Sequence, residues 1–171
     1  SGDAVTFVLT EKSATSEICK WEVREAKALG KRIIPITPGP LGSVMPDEKK
    51  RQFATLTAAR GVAVIEDDIY GDLHFGPQRP WPIKAFDTTG NVMLCSSFSK
   101  SLTPALRIGF VAAGRYRAAI ALQKTITSGA TNPITQNVLA EYLESSAYER
   151  HLRSLRRCYE RQVDGMQAAV S

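Results

Sequence analysis

The sequence predicts an α/β fold: layered βαβ units with a mostly parallel, mixed sheet flanked by helices and a long C-terminal helix. Three observations predict it. Short apolar runs of strand length alternate with longer stretches of helical periodicity. Val62–Glu66 (VAVIE) is apolar at nearly every position rather than every second one, as in a strand covered on both faces of a parallel sheet. The chain closes on one long amphipathic stretch, Tyr148 to Val170.

Taken in order, Ala4–Thr10 (AVTFVLT) reads as a buried strand. Thr15 or Ser16 caps a helix running to about Leu29, and Gly30 stops it. Arg32–Thr37 (RIIPIT) is a second strand, so the segment is a strand–helix–strand unit with a right-handed parallel crossover. A turn-rich connector, Thr37–Pro46, leads to a helix capped by Asp47 that runs to Arg60 and ends at Gly61. Val62–Glu66 is the third strand. Gly76–Pro82 (GPQRPWP) is a loop, because its prolines cannot serve a central strand, and Trp81 within it is expected to pack. Val92–Ser96 and Arg107–Ala113 are further strands, followed by helices near Tyr116–Thr127 and Ile134–Glu144. In the last helix Leu152, Leu155, Tyr159, Val163, Met166 and Val170 recur at steps of three and four and form one apolar stripe. Arg150, Arg153, Arg156, Arg157 and Arg161 sit mainly beside it, as a solvated face.

The 171 residues suit one domain, which can bury a core without disulfide staples. With 43% apolar and 23% charged residues, collagen-like and fully disordered classes are excluded. Twenty-two Lys and Arg against 17 Asp and Glu leave a net charge of +5. That suits an anionic small-molecule ligand and is too weak to indicate nucleic acid. The cysteines, Cys19, Cys95 and Cys158, form no C-x-x-C, and with only His74 and His151 they make no metal site. A reducing cytosol is the expected compartment. No apolar run has the length of a membrane span, so no membrane partner is expected.

The chemistry concentrates in Cys95–Gly109 (CSSFSKSLTPALRIG). Lys100 follows a strand and a serine cluster, with Arg107 seven residues on. A pocketed amine beside cations is a nucleophile for a carbonyl. The hydroxyls of Ser97 and Ser99 and the fork of Arg107 suit a dianionic phosphate. Upstream, Glu66-Asp67-Asp68-Ile69-Tyr70 closes a strand, and the carboxyl ends of strands are where open α/β sheets place ligands.

On S-F-S-K-x-L-x-P-x-x-R-x-G, E-D-D-I-Y-G-D-L and P-I-K-A-F-D-T-T-G-N-V, the chain from about residue 42 to 171 resembles the large domain of fold-type-I, pyridoxal-phosphate-dependent class I/II aminotransferases. It is most similar to the branch fused to winged-helix regulators. The resemblance implies that Lys100 carries pyridoxal 5'-phosphate in covalent linkage and shuttles the substrate's α-proton. It implies that Asp67 pairs with the pyridine nitrogen and Tyr70 bonds the phenolic oxygen, while Ser97, Ser99 and Arg107 hold the phosphate. It further implies a small-molecule amino donor and a homodimer. The family's glycine-rich phosphate turn, ring-stacking aromatic, small domain and carboxylate-binding arginine have no counterpart, and Gly39 stands about where its cofactor-touching asparagine falls. Catalysis is therefore expected to be weak or absent.

Residues 3–43 resemble the central part of a bacterial TIR domain, on A-V-T-F-V-L-T, S-E-I-C-K-W-E-V-R-E-A and L-G-K-R-I-I-P-I. On a helical wheel Ile18, Glu22, Ala26 and Leu29 share one face, and Lys20, Arg24 and Lys27 the opposite one. The resemblance makes Glu22 the candidate acid of an NAD-cleaving module. The sequence thus reads as a chimera joined near Gly42–Pro46, with three expected functions. These are an aminotransferase-derived cofactor-binding module, a non-catalytic self-associating domain, and an NAD-cleaving module.

Overall fold

Five short strands build one sheet, in the order β2-β1-β3-β4-β5. They are β1 (Ala4–Val8), β2 (Arg32–Ile36), β3 (Ala63–Asp67), β4 (Val92–Ser97) and β5 (Gly109–Ala112). The helices are α1 (Asp47–Ala59), α2 (Arg117–Ser128), α3 (Pro133–Glu144) and α4 (Ser146–Val170). Single 3-10 turns lie at Gly71–Leu73, Ile83–Phe86, Pro104–Leu106 and Gly114–Tyr116. The structure, a computed structural model, describes residues 4–8, 32–36 and 44–170.

β1 pairs in parallel with β2 and with β3, and β3 pairs in parallel with β4. Val8 lies opposite both Ile36 and Glu66, and Asp67 opposite Cys95, so these strands end side by side at one edge of the sheet. The expected α/β architecture with a mixed sheet and a long last helix is present. The expected helix between β1 and β2, with Cys19, Trp21 and Glu22, lies outside the described residues.

The chain divides into two units. One takes the chain to Asp68, Trp81–Ser96 and Phe110–Gln123; the other takes Ile69–Pro80, Ser97–Gly109 and the chain from Lys124. In the first, Ala54 of α1 packs with Val64 of β3, Ile83 and Val92 of β4, and Phe53 and Phe86 lie against them. Two buried carboxylates fasten this core to its loops. Glu66 points inward from β3 and accepts the backbone N–H of Ile83 (2.7 Å) and Lys84 (2.9 Å), which seats the Ile83–Phe86 turn. Burial pushes its pKa up, against the pull of those two N–H groups. Asp87 accepts the N–H of Thr89, Asn91 and Val92 at 2.9 to 3.1 Å, and the Lys84 ammonium at 3.0 Å. Burial alone would raise its pKa, but the Val92 N–H, the Lys84 ammonium and the other donors hold it well below the ordinary value.

The loop that Asp87 organises turns sharply into β4. Gly114 has φ +56, and a Cβ there would collide with the backbone of Gly90. Between them the fully buried Asn91 donates to the Val62 carbonyl and accepts from Arg115 (2.5 Å) and Tyr116 (3.0 Å).

Several expectations need correction. Asp47 is not the cap of α1: Pro46 is, and Asp47 opens the first turn, paired with Lys50 at 3.2 Å. β3 is not apolar throughout its buried face, because Glu66 occupies one of its two buried positions. The last strand starts at Gly109, not Arg107, whose backbone is left-handed (φ 50, ψ 36) and closes the Pro104–Leu106 turn. Trp81 does not pack: it is 63% exposed between two prolines, and only its carbonyl is used, by the buried Lys50 ammonium at 2.5 Å.

Asp87→Ala strands several backbone donors in a buried site. It is expected to cost about 2–4 kcal/mol at neutral pH, read from urea unfolding. Because the folded carboxyl titrates below its ordinary 3.8, this contribution is complete above that value and fades as the pH falls beneath it. The gap between wild type and variant should therefore close in acid.

Candidate functional site

The resemblance-based site residues fall in both units. Asp67 ends β3 in the first unit, half-buried, beside Cys95 of β4. The ends of the two strands are tied further by Asp68 N–H donating to the Cys95 carbonyl (2.9 Å) and by Ser96 Oγ donating to the Asp68 carbonyl (3.1 Å).

Tyr70, Ser97, Ser99, Lys100 and Arg107 belong to the second unit. Beyond β4 the chain folds back on itself. Leu102 and Thr103 N–H both donate to the Phe98 carbonyl, and Phe98 N–H donates to the Ile108 carbonyl at 3.2 Å. The serine cluster and Arg107 therefore flank the same bonded pair. Ser99 N–H makes a long 3.4 Å bond to Ser97 Oγ. The Lys100 ammonium is exposed and stands 5.8 Å from the centroid of the Tyr70 ring, a cation–π distance. Neither Lys100 nor Arg107 has an ion-pair partner among the described residues.

Arg107 is the only described residue other than glycine with positive φ. A left-handed arginine costs roughly 1 kcal/mol relative to glycine, and such strain collects at functional sites. An arginine, two serine hydroxyls and an accessible amine on this one stretch of chain are donors of the kind a phosphorylated aldehyde needs.

Sequence reasoning missed the network that holds this loop. The buried Tyr148 of α4 donates its hydroxyl to Asp72 (3.1 Å) and is 3.2 Å from the buried Ser101 hydroxyl, next to Lys100. Asp72 also accepts from Arg79 Nε at 2.8 Å, and its carbonyl accepts from Arg156 Nε at 2.6 Å. His151, assigned no partner from sequence, donates from Nε2 to the Ser101 carbonyl at 2.8 Å. Phe98 and Tyr142 meet the Tyr148 ring edge-on, with centroids 6.4 and 6.1 Å away. The one available sequence signal was spacing: Tyr148 lies four residues before Leu152 and extends the apolar stripe one turn back.

The family signature described as aminotransferase class I and II matches residues 38–170. The chain belongs to that family. Class I and II aminotransferases depend on pyridoxal phosphate. This aminotransferase-family chain is 40% identical to the HTH-type transcriptional regulator YjiR of Escherichia coli, over 77% of its own length and 28% of that protein. It is 29% identical to an aminotransferase of Saccharolobus solfataricus, over 97% of its length and 43% of the relative. Among solved structures, a Pyrococcus horikoshii kynurenine aminotransferase in complex with PMP superposes with a TM-score of 0.75 at 26% identity. The match covers 99% of this chain and 49% of that one. The chain thus spans half or less of these relatives. The archaeal match takes in 97% of the chain and so extends upstream of the family signature, and the TIR resemblance and the chimera gain no support.

Two predictions follow from the geometry. Burial, and then the Asp72 carboxylate, push the Tyr148 phenol above its ordinary 10.0. Alkaline titration followed by ultraviolet absorbance should show a late-ionising tyrosine that Tyr148→Phe removes. The substitution should also cost about 1 kcal/mol. That stabilisation is present below the ordinary tyrosine pKa and is lost as the pH rises through the folded one. Separately, Arg107→Gly relieves the left-handed strain and should raise stability by about 1 kcal/mol in thermal or urea unfolding. A loss of stability would mean that the arginine serves the fold.

Proposed function

We propose that this chain is the cofactor-binding large-domain portion of a pyridoxal-phosphate-dependent, aminotransferase-like protein, with Lys100 as the point of covalent attachment. The observation that carries this reading is the exposed Lys100 amine, beside the Tyr70 ring and without a carboxylate partner among the described residues. Once deprotonated, such an amine is a nucleophile for an aldehyde. Arg107, Ser97 and Ser99 supply charged and neutral donors for the phosphate. The family resemblance would give Asp67 the pyridine nitrogen and the Tyr70 hydroxyl the phenolic oxygen. When bound, the cofactor supplies an electron sink for carbanion chemistry. The protein's part is to hold it and to move a proton at Lys100 Nζ. The partners this reading implies are a small-molecule amino donor and a second copy of the chain.

A second reading has one observation in its favour: identity to the regulator YjiR, at 40%, exceeds the 29% to the archaeal aminotransferase. On that reading the same residues bind cofactor and amine as signals to be sensed, and turnover is weak or absent.

Incubation with pyridoxal phosphate, dialysis, borohydride reduction and peptide mass spectrometry test the attachment. The expected result is a retained visible absorbance and a cofactor-sized mass gain on the Lys100 peptide, both lost in Lys100→Ala. No retained absorbance, or labelling spread over other lysines, would overturn it. Conversion of amino acid to keto acid above the Lys100→Ala background favours the enzyme, and stable binding without conversion favours the sensor.

A further inference from the structure

Within the second unit, a cavity of about 350 Å³ opens between the His74–Pro77 loop and the first half of α4. From the helix it is lined by Arg153, Arg156, Arg157 and Glu160. Their spacing, i, i+3, i+4 and i+7, puts all four on one helical face. The loop opposite is closed by His74, whose Nδ1 donates to the Gly76 carbonyl at 2.8 Å.

The charges of this cavity do not cancel. Arg156 is anchored by its Nε, which donates to the Asp72 backbone carbonyl, so its charge is not neutralised there. The Asp72 carboxylate is already engaged by Arg79 and Tyr148. Arg153 and Arg157 have no hydrogen-bond or ion-pair partner among the described residues. Three guanidinium groups therefore face a single carboxylate, Glu160, leaving an excess of two positive charges before His74 is counted. A solvated arginine stripe on a plain helix needs no ligand. Here the loop supplies a second wall and turns the stripe into a concave site. Guanidinium forks recognise oxyanions by paired N–H bonds, and a charge excess of two matches a dianion.

We propose that this cavity binds a small dianion of the phosphate-monoester class. It shares no residue with Lys100, Ser97, Ser99 or Arg107, so the site is separate from the proposed cofactor phosphate. The volume suits a phosphate carrying a small organic group. The enclosing loop and the glutamate at one end favour a compact ligand over the extended backbone of a nucleic acid.

The test is calorimetric titration of the full chain with phenyl phosphate at constant ionic strength, run on wild type, Arg107→Ala and the double variant Arg153→Ala/Arg157→Ala. Arg153 and Arg157 are exposed, and far-ultraviolet circular dichroism checks that the double variant stays folded. Saturable binding is expected in wild type. Arg107→Ala should retain it, and the double variant should weaken it by about tenfold or more. No saturable heat in wild type, or equal affinity in the double variant, overturns the proposal. Binding lost in Arg107→Ala instead would assign the heat to the cofactor's phosphate site and likewise overturn it. A succinate arm and a short DNA duplex arm test the ligand class. Arginine-dependent binding of either in place of phenyl phosphate rejects a phosphate monoester. Failure of Lys100 labelling leaves this result unaffected, so the two proposals stand or fall apart.

Discussion

Three segments far apart in sequence meet at one phenol. The hydroxyl of Tyr148, on α4, reaches the carboxylate of Asp72 in the Gly71–Leu73 turn and the hydroxyl of Ser101 in the loop after β4. Both flanking residues of interest follow from that fixture: Lys100 precedes Ser101, and Tyr70 caps the turn that carries Asp72. The amine and the ring come within cation–π distance because their loops are tied to the same helix. A phenol suits this position because its ring fills apolar space against Phe98 and Tyr142 while its one polar atom serves two partners.

The first unit uses the same device with carboxylates. Glu66 and Asp87 are buried at their side chains and take backbone N–H groups as most of their partners, with the Lys84 ammonium added at Asp87. Such donors are fixed by the fold, so they do not pay the rotamer entropy that weakens surface ion pairs. Each carboxylate thereby defines the path of the loop it binds. Asp87 sets the entry to β4 and Glu66 sets the Ile83–Phe86 turn.

The alternation of strand and helix signals was legible because it depends on local periodicity. β3 and the three helices after β5 came within one or two residues of their observed limits. The family resemblance named Lys100 and Tyr70 separately as cofactor residues, and their nearness, thirty positions apart, was not legible in the letters. What escaped has a common cause. Arg107 was read into a strand because R-I-G-F-V-A-A is nearly all apolar, and nothing in those letters reports a positive φ. Trp81 was read as packing because tryptophan usually is, but prolines on both sides keep its chain extended and leave the indole in solvent. Lys50, in the charged run that opens α1, is buried against a carbonyl 31 residues away, which no local pattern reports. Asp72, Ser101, Tyr148 and His151 are joined across 47 to 76 residues, a separation that no spacing rule spans.

Among the described residues the last helix is anchored through its first half. Tyr148 and Leu152 are its buried residues, and every residue from Tyr159 to Val170 is exposed, including the apolar stripe that Val163 and Met166 continue. Its 25 residues span roughly 37 Å at the α-helical rise. A rod anchored over its first three turns, by Tyr148, Leu152 and the Arg156 bond to Asp72, is a lever. Force applied to its exposed second half is delivered at that anchor, which includes the phenol beside the loop that presents Lys100.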